Sequence, residues 1–170
     1  MPIDECPHNF EYLVDHSLPK LLDLLQERIA VPHLAALLLP YKSATKKALK
    51  ELRLASDISG CYVFIENAKP IYVGISRKLV KRLTQHLNHK SHYSASLVYK
   101  MASQDNPHSL RRSQAMKDEK FERAFLKRQS HLRELHFAFI EIQDLVTLYL
   151  FELFACMHFD TSKWNTFKTH

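Results

Sequence analysis

Both glycines of this chain fall inside one short stretch, GCYVFIENAKPIYVGISRKLVKRLTQH, residues 60–86. Around them lie two runs of β-branched and aromatic residues, CYVFI at 61–65 and IYVGI at 71–75, joined by ENAKP. Such runs suit a pleated, half-buried surface and the polar link suits a turn, so the pair reads as a β-hairpin. The period then changes. Leu79, Leu83 and Leu87 recur at every fourth position, which predicts a helix with one buried stripe and Ser76 placed to cap it. Further on, HFAFIEI at 136–142 reads as a strand, followed by an apolar helix that holds Glu152 and starts at a cap on Asp144 or Thr147. A hairpin, a further strand and amphipathic helices predict an α/β (α+β) fold, a small three-stranded antiparallel sheet flanked by helices.

The 170 residues suffice for one ordinary domain with a full core plus a small extension. Residues 9–53 show helical spacing punctuated by Pro19, Pro32 and Pro40, which predicts a bundle of short helices. We therefore divide the chain into a helical N-terminal extension, 1–56, and a second domain, 57–170. The formal net charge is +6, but residues 1–58 carry seven Lys/Arg against eight Asp/Glu and residues 59–170 seventeen against ten. The whole positive excess belongs to the second domain, so a polyanionic partner is expected there. SHYSASLVYKMA predicts another helix, and the polar, basic residues 103–134 read as a solvated helix and loop, either ordinary surface or a nucleic-acid contact. Three widely separated cysteines, Cys6, Cys61 and Cys156, give neither a disulfide framework nor a CxxC pair, which points to a reducing cytoplasm. The acidic N-terminus lacks a signal pattern, and no stretch of about 18 uncharged apolar residues offers a membrane span.

Several residues carry chemistry. With the hairpin turn centred on Asn67, Tyr62 would lie opposite Tyr72 on one face, as two neighbouring phenols or as a pair that only packs. Arg82 and His86, at i and i+4, share a helical face offset from the leucine stripe, where an anion between them would relieve their repulsion; a surface pair with no role is the alternative. Glu152 is the only acidic residue between Leu145 and Phe159, in a helix apolar on all sides. A carboxylate buried there needs either a salt bridge, for which Arg82 is a candidate, or a divalent cation held with waters and a phosphate oxygen. His86, His89 and His92 lie three residues apart, but without cysteine or a fourth spaced ligand they make a poor zinc site.

Gly60-Cys61-Tyr62, then Tyr72-Val73-Gly74, Arg82, His86, Glu152 and Asn165, resemble the ordered motif set of the GIY-YIG nuclease superfamily, over about residues 57–168. Cys61 and Val73 stand where the family has Ile, which removes no functional group. The stretch from His89 to Arg133 is longer than in the smallest members. The resemblance implies a GIY-YIG-like fold and metal-dependent hydrolysis of a nucleic-acid phosphodiester in repair, recombination or defence. It implies Tyr62, Tyr72, Arg82, His86 and Glu152 as catalytic residues. Glu152 would hold one Mg²⁺ or Mn²⁺, Arg82 would stabilise charge on the phosphate, Tyr62 would contact or deprotonate the attacking water and Tyr72 would orient water or phosphate. Asn165, Lys78 and Lys81 would bind substrate, DNA rather than RNA. Two other readings stay open: a catalytically weak nucleic-acid-binding module on the same fold, and an interaction protein in which residues 1–56 recruit a protein partner.

Overall fold

The computed structural model describes residues 3–39 and 44–167; Pro40, one of the expected helix boundaries, lies outside the described residues. A 3₁₀ turn (Ile3–Glu5) precedes a short helix α1 (Phe10–Tyr12), a π-helical turn (Leu13–Ser17), α2 (Leu18–Ala30), β1 (His33–Leu34), a 3₁₀ turn (Ala35–Leu38) and α3 (Ala44–Glu51). The hairpin strands β2 (Gly60–Glu66) and β3 (Lys69–Ser76) follow, then α4 (Leu79–Asn88), α5 (Ser96–Asp105), α6 (Arg112–Ala115), α7 (Glu119–Glu134), β4 (His136–Glu141) and α8 (Leu145–Phe159). Contacts divide the chain into two compact units, one made of residues up to 33, 57–79 and from 136 onward, the other of 34–56 and 80–135.

The sheet has four strands in the order β1-β4-β2-β3, not three, because the two residues after Pro32 pair as an extra edge strand inside a segment whose spacing suggested helix throughout. The central strand β2 pairs antiparallel with both β3 and β4. A strand covered on both faces has no solvent side, which is why CYVFI is apolar at every position. Alternation sends Cys61, Val63 and Ile65 to one face, where Val73, Ala138 and Ile140 join them beneath Leu18, Leu22 and Leu25 of α2 and Leu148, Phe151, Ala155 and Cys156 of α8. The other face is aromatic: Tyr62 sits opposite Phe139 and Phe64 opposite Phe137, with the His33 ring 5.4 Å from that of Phe137.

The hairpin register differs from the expected one. Asn67 and Ala68 both have positive φ (49° and 62°), so the turn is a two-residue one of the type that matches strand twist, centred half a residue beyond Asn67. Next to Pro70, Ile71 is bulged out, since Ile65 pairs with Pro70 while Phe64 pairs with Tyr72. Together these shifts place Tyr62 opposite Gly74 and Tyr72 opposite Phe64. The two tyrosines still share a face, diagonally rather than directly.

Asp144, as expected, caps α8, accepting from the Thr147 N–H at 2.7 Å. That helix is not buried all round: Tyr149, Leu153 and Met157 form an exposed stripe, Met157 at 75%. In the second unit α5 packs on α7, whose Phe121, Phe125, Gln129 and Leu132 make one buried stripe. The leucine stripe of α4 behaves as its spacing required, with Leu79, Leu83 and Leu87 fully buried. Ser76 does not cap α4; its hydroxyl accepts from Lys78 N at 3.0 Å in a local turn, and the first helical N–H, that of Leu79, donates to Ile58 O at 2.9 Å.

Candidate active site

On the aromatic face the Tyr62 and Tyr72 rings lie 6.3 Å apart with their planes at 47°. Tyr62 is buried, whereas Tyr72 is partly accessible. The strand glycines shape this pair. Neither glycine has positive φ, so close approach, not a turn, calls for them. A Cβ on Gly74 would stand 2.5 Å from the Tyr62 phenolic oxygen and nearer still to the ring carbon bearing it. A Cβ on Gly60 would collide with the Ile140 carbonyl oxygen.

Asn165 lies against β3 at Val73, the residue after Tyr72, and is already engaged. Its Oδ1 accepts from Val73 N at 3.0 Å and its Nδ2 donates to Val73 O at 2.7 Å, completing the outer edge of β3 as a neighbouring strand would. This clamp makes Asn165 a positioning residue for the strand that carries Tyr72, and it uses only one of the two Nδ2 hydrogens, so the expected contact with a phosphate oxygen does not require breaking it.

Glu152 stands on α8, the helix that covers the aliphatic face of the sheet. Its carboxylate makes no hydrogen bond and no ion pair with another described residue. Partial burial raises its pKa above the usual carboxylate value. Its charge acts on two buried thiols: burial first, then Glu152, pushes Cys61 well up, and burial together with Glu152 lifts Cys156 to about 11 despite a bond to Thr161. All three cysteines are free and buried.

The second unit carries Arg82 and His86 one helical turn apart on α4, as expected. Arg82 is gripped on two points, Nη1 donating to Ser94 O at 2.8 Å and Nη2 to Ser96 Oγ at 2.9 Å. His86 is fully buried, and burial, with the Arg82 charge second, holds its pKa well below 6.5. The imidazole is therefore neutral at neutral pH. Lys78 and Lys81 are exposed.

Two supporting residues were not singled out from the sequence. Gln129 donates from Nε2 to the carbonyls of His86 (3.3 Å) and His89 (2.9 Å), and Arg133 donates to Leu87 O at 2.9 Å. They satisfy the last carbonyls of α4 and so fix the helix that bears Arg82 and His86. The available signal was a polar Gln129 four residues after Phe125 and three before Leu132, in line with an apolar stripe. Among the described residues no group of three or more His, Cys, Asp and Glu is arranged to hold a metal, so the His86, His89, His92 spacing forms no zinc site there.

The family model described as the GIY-YIG catalytic domain matches residues 58–142. None of the curated proteins compared matches the chain. Among solved structures, the N-terminal GIY-YIG endonuclease domain of UvrC from Thermotoga maritima, a point mutant bound to its catalytic divalent cation, is similar at 19% identity, over 74% of this chain and 99% of that one, with a TM-score of 0.38.

Proposed function

The chain belongs to the GIY-YIG family, and from that premise we propose that it is a metal-dependent endonuclease hydrolysing phosphodiester bonds in DNA, in repair, recombination or defence. The observation that carries the metal dependence is Glu152. A half-buried carboxylate without a partner among the described residues, its pKa raised by desolvation, is an anion whose cation is supplied from outside. One carboxylate is what Mg²⁺ needs from a protein when waters and phosphate oxygens fill its other positions, so Glu152 would hold one Mg²⁺ or Mn²⁺. Such an ion, when bound, supplies Lewis-acid stabilisation of charge on the phosphate.

The remaining roles follow the motif order. Tyr62 orients or deprotonates the attacking water. A phenol with a pKa of about 10 is a weak base at neutral pH and needs help from a neighbouring charge or acceptor. His86 is assigned to the chemistry by the motif order alone, and burial with the Arg82 charge keeps it uncharged. Tyr72 orients water or phosphate, and Arg82 contributes fixed positive charge. Lys78 and Lys81, exposed cations, bind the substrate backbone. We take 57–170 as the nuclease domain and 1–56 as an extension whose α2 is built into the same core, its outer surface open to a protein partner. Three free thiols fit a reducing cytoplasm, and no helix among the described residues is long and apolar enough to cross a membrane.

One observation favours the binding module as a second reading: residues 67–104 contain seven Lys/Arg and no Asp or Glu, a polyanion-attracting run that would serve binding without turnover. Incubating the protein with duplex, nicked, flap and branched DNA, and with RNA, with and without Mg²⁺, separates the two. Metal-dependent cutting of DNA supports the nuclease. Salt-sensitive binding without cutting supports the module, and neither binding nor cutting sinks both.

A further inference from the structure

The acid-free run 67–104 takes in the turn between α4 and α5, and the most exposed aromatic of that turn is Tyr93, 73% accessible. An exposed phenol on a loose loop would mean little, but this turn is fastened. Ala95 is fully buried and its N–H donates to Ser91 O at 2.8 Å, while Tyr93 N donates to Ser91 Oγ at 3.3 Å. Arg82 holds the far side through Ser94 O and Ser96 Oγ. The His92 ring lies 4.1 Å from the Tyr93 ring at 39°, backing one side of the phenol. The exposed residues that precede Tyr93 in the chain are His89, Lys90 and Ser91, a basic and polar run.

We propose that Tyr93 is a stacking platform for an unpaired base of a DNA strand, with Lys90 on the adjoining backbone. The proposal rests on the nucleic-acid reading above and names its substrate class: DNA with at least one base out of the duplex stack. A fixed aromatic in a positive field is what a splayed base requires, and stacking tolerates any base because each has a π-face. A base inside a continuous duplex offers no such face, so the platform favours bulged, flapped or frayed DNA. Arg82 then has a second duty, as the positioning residue of the platform.

The test uses the full-length protein in EDTA, where cleavage does not deplete the probe. Binding is measured to a duplex with a single bulged 2-aminopurine and to the same duplex fully paired, for wild type, Tyr93→Phe and Tyr93→Ala. The expected result is an affinity for the bulged probe lowered about tenfold by Tyr93→Ala, with fluorescence quenching lost, while Tyr93→Phe behaves as wild type and the paired duplex is bound nearly as before. Unchanged binding of the bulged probe by Tyr93→Ala, or equal loss on both probes, overturns the platform and leaves the nuclease reading standing. Wild-type protein that binds neither probe removes the nucleic-acid reading itself.

Discussion

Gly74 lies directly across the β2–β3 ladder from Tyr62, and the space a side chain would occupy there is filled by the tyrosine ring. The glycine of one strand thus sets where the phenol of the other can lie. The dependence is one of volume, not of backbone freedom, since Gly74 has no positive φ. Gly74→Ala should overpack a buried contact and lower stability by about 1–3 kcal/mol. Making the same change on a Tyr62→Leu background should cost clearly less. Additive costs in urea denaturation of the single and double variants would show that the collision with the ring is not the cause.

Asn165 makes the second such dependence. Asn165→Ala strips Val73 of partners for both its N–H and its C=O and should cost about 1–3 kcal/mol, with faster amide exchange at Val73. Asn165→Asp keeps an acceptor for the N–H but sets an oxygen against Val73 O, so it should protect the amide partly and still destabilise. Exchange at Val73 that is unchanged in both variants would remove the clamp.

Much of this was legible because it was periodic. The hairpin, the Leu79, Leu83, Leu87 stripe and the Asp144 cap follow from spacing and side-chain chemistry that act locally. The motif set was legible as an order of residues. What escaped depended on events with no local signature. A bulge at Ile71 and a turn centre displaced by half a residue altered which residue faces Tyr62. The two-residue strand β1 exists only because β4 is beside it. The clamp of Asn165 on Val73 spans 92 residues of sequence, which no spacing rule reaches.

The Asn67-Ala68 turn offers a test remote from the proposed chemistry. Ala68 holds φ at 62°, where an L residue with a Cβ is strained by about 1–2 kcal/mol and glycine is not. Ala68→Gly should raise stability by about 1 kcal/mol, a Tm increase of about 2–4 °C for a chain of this size. A lower Tm for this variant would show that the turn does not hold the left-handed conformation at Ala68.

His86 should make stability depend on pH. Its folded pKa is lowered, by burial first and Arg82 second, from 6.5. Between that lowered value and 6.5 the unfolded chain binds the proton more readily than the folded one, so stability rises with pH across this window and is lost on acidification below 6.5. His86→Gln should flatten the slope of Tm against pH there. His33, also lowered by burial and Arg28, will leave a smaller residual slope. An identical slope with and without His86 would mean that the imidazole titrates normally.

Glu152 should behave in the opposite sense. Its pKa is raised by desolvation above 4.5, so the folded chain binds the proton more readily than the unfolded one from 4.5 up to the raised value. Stability contributed by this group falls as pH rises through that window, and at neutral pH the ionised carboxylate is a standing cost. In EDTA at pH 7, Glu152→Gln should therefore be at least as stable as wild type. Adding Mg²⁺ or Mn²⁺ should raise the Tm of wild type, because a ligand that binds only the folded state stabilises it, and should leave Glu152→Gln unmoved. If the cation serves the reaction, the same variant should cut DNA at least about a thousandfold more slowly, the several kcal/mol that a catalytic metal supplies. Cation-dependent stabilisation that survives in Glu152→Gln would assign the metal to other ligands, and undiminished cutting would take Glu152 out of the chemistry altogether.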